Sequence, residues 1–152
     1  LKKVGIKTNV RTYDFGAWIA RMQKGDFEMA IGWADKGSTP YNFFKSMMFS
    51  GYVKPIGETA DLNWHRFGLE EADLLFKEFE QTSDEKTIKI IISKLQHLFI
   101  EHAPGIPLFG ELSWAEYNSK YFTGFPNEQN PYGPLSPNEP GFIFTLLNVK
   151  KR

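Results

Sequence analysis

The chain of 152 residues has no cysteine, no excess of either charge and no long apolar run. Each absence removes a class of function. Without cysteine there are no disulfides, no thiolate metal sites and no cysteine nucleophile, although exported proteins also lack cysteine, so this count does not decide the compartment. The 18 basic and 18 acidic residues are mixed along the chain and sum to a formal net charge of zero. Nothing therefore builds the positive surface that nucleic acid or an anionic membrane requires, and no nucleic-acid partner is expected. No stretch reads as a membrane span. The chain also lacks an initiating Met and a basic-then-apolar leader, and LKKVGIKTNV reads as the end of a helix, Gly5 and a strand. It is expected to be a piece of a longer protein, with any secretion signal or lipid anchor carried on the missing N-terminal part.

What is present suits one domain with a real core: 41% hydrophobic and 24% charged residues are ordinary for a globular protein. The aromatic fraction of 16%, with 14 Phe, 6 Tyr and 4 Trp, is high. It serves either a bulky core or a site that stacks flat ligands and sugar rings, and the burial habits of these side chains favour the core as the default.

Val10 to Pro40 reads as strand, helix, strand and an aromatic, polar loop. Val10, Thr12 and Asp14 alternate with Arg11 and Tyr13, and Phe27 to Trp33 is a second short run. Between them Phe15, Ile19 and Met22, with Ala17 and Trp18 alongside, share a helical face that ends at Lys24-Gly25. A crossover of this length predicts parallel strands, and ligands of open parallel sheets collect beyond the strands' carboxyl ends. Trp33, Asp35 and Lys36 fall there.

Further along, Thr39 and Pro40 predict the cap and first position of a helix with Phe43, Phe44, Met47 and Met48 buried and Gly51 near its exit. NWHRF at 63–67 reads as a short strand or a loop lip. Leu69, Ala72, Leu75, Phe76 and Phe79 mark a second helix whose Glu70, Glu71, Lys77 and Glu78 face water. Thr82 with Glu85 forms a capping-box pattern for a long helix buried through Ile88, Ile91, Ile92, Leu95 and Phe99 and stopped at Pro104-Gly105. IPLFGEL at 106–112 predicts a strand, and 114–125 a strand or irregular structure. Five prolines and two glycines among the 16 residues from Pro126 to Gly141 leave no room for regular elements. FIFTLLNV predicts a closing strand or packed tail.

No catalytic constellation emerges. His97 and His102 are five apart on one helix and miss the spacing of a helical metal pair, while His65 is a plain surface histidine unless a ligand reaches it. Glu70, Glu71 and Asp73 suit a helix start by charge alone. KGSTP lacks the glycine pattern of a phosphate loop. No catalytic residue, cofactor or metal is expected. The positive signals are Trp33, Trp64 and Trp114 at element ends or in loops, beside Asp35, Asn63 with Arg66, and Glu116 with Asn118; Trp18 reads as core. Such tryptophans either pack as lids or offer platforms for pyranose C–H faces, with neighbouring amides and carboxylates bonding the hydroxyls.

KGDFEMAIGW (24–33), the Pro40-Tyr41-Asn42-Phe43 helix start, NWHRF followed by EEAD, SDEKTIKIIISKLQHLFIEHAPGIPLF (83–109) and YFTGFPNEQNPY (121–132) together resemble the C-terminal part of a family 5 extracellular solute-binding protein of bacterial ABC importers. This group includes peptide, nickel and oligosaccharide receptors. The resemblance covers nearly the whole chain and implies an α/β fold, a type II periplasmic-binding-protein lobe. Residues 1–112 would form the partial ligand-binding lobe and 113–152 a return segment toward the missing N-terminal lobe. The implied protein is no enzyme. It is a periplasmic or extracellular receptor that closes over its solute and delivers it to ABC permease membrane subunits.

In peptide-binding members, an aspartate three residues after the Trp of the Gly-Trp motif pairs with the peptide's amino terminus, and a second Asp commonly precedes the downstream Pro. Here those places hold Lys36 and Thr39. A lysine repels an ammonium, so the resemblance leans to the oligosaccharide-binding branch, with TGFP and NPY near the C-terminus in keeping. Asp35, one position away, keeps an oligopeptide as the alternative. The expected ligand contacts are Trp33, Trp64 and Trp114 as platforms and Asp35, Lys36, Asn42, Asn63, Arg66, Glu116 and Asn118 for hydroxyls. A fragment of an α/β carbohydrate-active enzyme is the alternative of a different class, and an interaction module on the same lobe is another.

Overall fold

Apolar residues three and four apart become helices wherever a neighbouring helix covers them. In the computed structural model, which describes residues 1–34, 39–110, 115–139 and 141–152, the elements run α1 (Phe15–Lys24), α2 (Pro40–Met48), α3 (Glu70–Glu80), α4 (Glu85–His102), β1 (Phe122–Thr123), α5 (Phe142–Asn148) and β2 (Lys150–Lys151). Helices α2, α3 and α4 pack together over Phe44, Met48, Ala72, Leu75, Phe76, Ile91, Leu95, Leu98 and Phe99. The predicted stripes lie in or against this core, with Phe43, Met47, Leu69, Phe79 and Ile92 half-buried at its margin, except that Ile88, in the first turn of α4, is half-buried outside it. Tyr41 and Lys45 of α2 both bond the Glu80 carboxylate at the end of α3, each at 2.6 Å, and so fix the two helices' relative slide.

The helix ends depart from the expected caps in instructive ways. Thr39 holds the N-cap position of α2 without a side-chain cap bond, and Pro40 follows at the first helical position. For α4 the cap is Asp84, whose carboxylate accepts from the Thr87 N–H at 2.8 Å, so the Thr82–Glu85 box is replaced. Thr82 instead accepts from the Asp84 N–H, one step outside the helix. At the other end Ala103 takes the left-handed conformation and ends α4 before Pro104-Gly105.

The expected strands at 10–14 and 27–33 do not form ladders, and 106–110 is likewise irregular; 111 and 112 lie outside the described residues. A strand needs a neighbour to satisfy its backbone, and these runs have none among the described residues: Val10 is 82% exposed and Ile31 75%. Asp14 serves as the N-cap of α1, accepting from the Ala17 N–H at 3.0 Å. The one ladder among the described residues is antiparallel, Phe122 against Lys151 and Thr123 against Lys150. The expected closing strand at FIFTLLNV is instead helix α5, ending at Asn148 with Val149 as its C-cap. Thr145 of α5 is buried and donates its hydroxyl to the Pro134 carbonyl at 2.6 Å, which pins the proline-rich segment to the tail.

Candidate functional site

Helix α1 leaves its last carbonyls without intrahelical partners, as every helix does. Here the loop 57–66 supplies them. The Gly57 N–H donates to the Lys24 carbonyl at 2.8 Å and the Ala60 N–H to the Gln23 carbonyl at 2.9 Å. The Arg66 guanidinium adds a bond from Nη2 to the same Gln23 carbonyl at 2.8 Å, a second to the Glu58 carbonyl at 2.9 Å, and one from Nη1 to the Trp64 carbonyl. Gly25 leaves the space for it: its φ is +68°, and a Cβ there would meet Arg66 Cζ at 2.6 Å. Burial draws the guanidinium below its ordinary pKa, yet an arginine stays charged at any physiological pH. Arg66 Nε is buried with no hydrogen-bond partner among the described residues.

The loop is bracketed from the bundle side as well. Asn63 is buried, takes a φ of 53°, donates its amide to the Phe49 and Phe67 carbonyls and accepts from the Phe67 N–H at 3.0 Å. His65 Nε2 lies 2.8 Å from the Met47 carbonyl, which can only accept, so the imidazole donates. Burial holds its pKa below the ordinary histidine value against the smaller upward pull of that bond.

Held between these brackets, Trp64 meets two other tryptophans. Its ring lies edge-on to Trp33 at 5.5 Å and to Trp18 at 6.1 Å, and its indole N–H donates to the Asp61 carbonyl. Trp33 and Trp18 are 4.7 Å apart, and Phe15 extends the row by stacking on Trp33 at 6.1 Å with planes 16° apart. Gly32, beside Trp33, packs under the Trp18 ring, where a Cβ would lie in ordinary contact at 3.4 Å. Trp33 remains 55% exposed. The result is a partly open aromatic surface at the junction of α1, the 27–34 segment and the 57–66 loop.

Of the expected site residues, the structure thus brings Trp33 and Trp64 together and adds Trp18, which was expected in the core, and Phe15. The missed signal was the i, i+3 spacing of Phe15 and Trp18 on a helix whose start is exposed. Asn63 engages the backbone of Phe49 and Phe67, and Arg66 the carbonyls of Gln23, Glu58 and Trp64. Asn42 is exposed on the first turn of α2, and Glu116 is exposed near the tail. Asn118 closes a turn by accepting from the Lys120 N–H at 2.8 Å, beside Tyr117 stacked on Phe125 at 4.2 Å. No hydrogen bond or aromatic contact among the described residues joins these three to Trp33. Asp35, Lys36 and Trp114 lie outside the described residues.

No protein-family model matches the chain. Among curated proteins it is 24% identical over 142 residues to a heme-binding protein A of Haemophilus influenzae, an alignment covering 93% of this chain and 22% of that protein. It is 26% identical over 107 residues to a di/tripeptide-binding protein 1 of Pseudomonas aeruginosa, covering 70% of this chain and 19% of the relative. The chain thus spans about a fifth of these relatives' length. Among solved structures, a periplasmic oligopeptide-binding protein of an ABC transporter from Thermotoga maritima superposes with a TM-score of 0.72 at 21% identity, over 99% of this chain and 29% of that one. Its mannohexaose-bound form gives 0.70 at 22%. The curated relatives are named as binding proteins, and the solved structure as the periplasmic oligopeptide-binding protein of an ABC transporter. The chain has the fold of part of such a receptor, a type II periplasmic-binding-protein lobe.

Proposed function

We propose that the chain is part of the solute-binding component of an ABC importer, capturing an oligosaccharide in a cleft between lobes outside the cytoplasm and delivering it to membrane permease subunits. The observation that carries this is the convergence of Trp18, Trp33 and Trp64 on one partly open surface. Indole faces suit the apolar faces of pyranose rings. A neighbouring fold holding mannohexaose supports the same ligand class. Residues 1–112 act as the ligand-binding lobe and 113–152 as the return segment, a division supported by the tail's own closure through β1 and β2. Trp114 is a third loop platform, and Asp35, Lys36, Asn42, Glu116 and Asn118 supply hydroxyl contacts. Capture is a population shift: a ligand bonded by both lobes favours the closed state, so a lobe by itself binds weakly.

An oligopeptide is the second reading, favoured by relatives named for di- and tripeptides. Titration of a two-lobed receptor containing this chain with mannohexaose, a tripeptide and hemin separates the readings. Saturable tryptophan quenching by mannohexaose alone supports the first. Quenching by tripeptide alone replaces it with the second, and quenching by hemin alone removes both.

A further inference from the structure

The aromatic surface is assembled from three segments, and one side chain ties two of them, α1 and the 57–66 loop. Trp18 rides on α1, and Trp64 on the 57–66 loop. The Arg66 guanidinium bonds the carbonyl of Gln23 in the last turn of α1 and the carbonyl of Trp64 itself, with the Glu58 carbonyl as a third partner. Its planar fork therefore sets the distance between the backbones that carry the two indoles. Two features accommodate this group. Gly25 has no side chain where one would strike the guanidinium. Arg66 itself takes a φ of 56°, a conformation few arginines adopt.

We infer that Arg66 is a positioning residue for the solute site: it holds Trp64 at its edge-on angle to Trp18 and Trp33 without itself touching ligand. The ligand half of this inference rests on the proposed solute-binding function. The assembly half stands on the geometry alone. A lysine cannot replace the fork, because a single ammonium on a flexible stem does not present coplanar donors to three carbonyls in fixed directions. Asn63 acts alongside it by anchoring the same loop to Phe49 and Phe67.

The test reads the indoles directly. Tryptophans at these separations couple their excited states, and the far-ultraviolet circular dichroism couplet depends on their mutual angle. In the 152-residue chain, Trp64→Phe identifies the part of the couplet that Trp64 contributes. Arg66→Lys is expected to remove most of that part while the helical signal persists, and Arg66→Gln serves as the second variant should Arg66→Lys fail to fold. In a two-lobed receptor, mannohexaose affinity should fall about two- to tenfold in the folded variant, the scale of one aromatic contact. A couplet unchanged below the melting temperature, even with a lowered melting temperature, overturns the inference, because Arg66 would then be a stabilising strut only. If Trp33→Ala leaves mannohexaose binding intact while Arg66→Lys still abolishes the couplet, the assembly role stands and the sugar-site assignment falls.

Discussion

In the α2–α3–α4 bundle, Met48, Phe76, Ile91 and Leu95 are removed from water almost completely, whereas the tryptophan cluster leaves Trp33 more than half exposed and depends on brackets from Arg66, Asn63 and His65. The bundle is held by area taken from water, which is non-directional and tolerant of small shifts. The cluster is held by hydrogen bonds to backbone carbonyls, which are directional and set angles. A surface proposed to take a solute has to stay partly open, so it cannot rely on burial to keep its shape. Polar bracketing from behind meets that need.

The contrast can be broken or sharpened by substitution. The largest expected effect is in the bundle: Phe76→Ala should cost about 3–5 kcal/mol in denaturant unfolding, the range for deleting a buried phenylalanine. If the bundle and cluster are held separately, the tryptophan couplet of the surviving folded fraction should match the parent. Asn63→Ala removes three loop hydrogen bonds and leaves backbone groups unpaired, a loss of about 1–3 kcal/mol. Asn63→Gly loses the same bonds but accepts the positive φ, so it should lose less, and equal losses would show that the backbone conformation contributes nothing. Trp33→Ala should hardly change unfolding, since the ring is exposed, yet weaken oligosaccharide binding by ~1 kcal/mol in calorimetry of a two-lobed receptor.

His65 offers a pH handle on the brackets. Because its folded-state pKa is lowered, the unfolded chain takes up the proton first, and stability falls as pH drops. Its contribution should be complete above about pH 6.5, the unfolded value, and decline as pH passes down through the lower folded one. Comparing melting temperatures of the parent and His65→Gln across this range should show the parent's slope reduced in the variant. The smallest effect concerns the α4 cap: Asp84→Ala should lower the melting temperature slightly more than Thr82→Ala. The reverse order would restore the capping box.

Much of the bundle was legible from local pattern. The spacing of Leu69, Ala72, Leu75 and Phe76 reports a helical face whether or not the neighbour is known, and Phe44 and Met48 do the same. The tryptophan cluster was legible in part, because Trp33 and Trp64 announce themselves as aromatics in loops. Trp18 did not, since an indole on an amphipathic helix reads as core whichever segment eventually lies against it. The backbone bonds of Asn63 and Arg66 were not legible, because a polar side chain beside a tryptophan has the same sequence signature facing in or out.

Charge balance, the absence of cysteine chemistry and the amphipathic stripes of α2, α3 and α4 were determined by sequence alone, since each depends only on residue type and short-range periodicity. Tertiary structure decided the rest. Whether 10–14, 27–33 and 106–110 pair as strands depends on neighbours distant in the chain, and among the described residues they have none. The meeting of Trp64 with Trp18 and Trp33, and the guanidinium that spans α1 and the loop, join positions far apart in the chain, Gln23 and Arg66 by 43 residues. No local periodicity encodes such a contact, because its free energy exists only once both segments are in place.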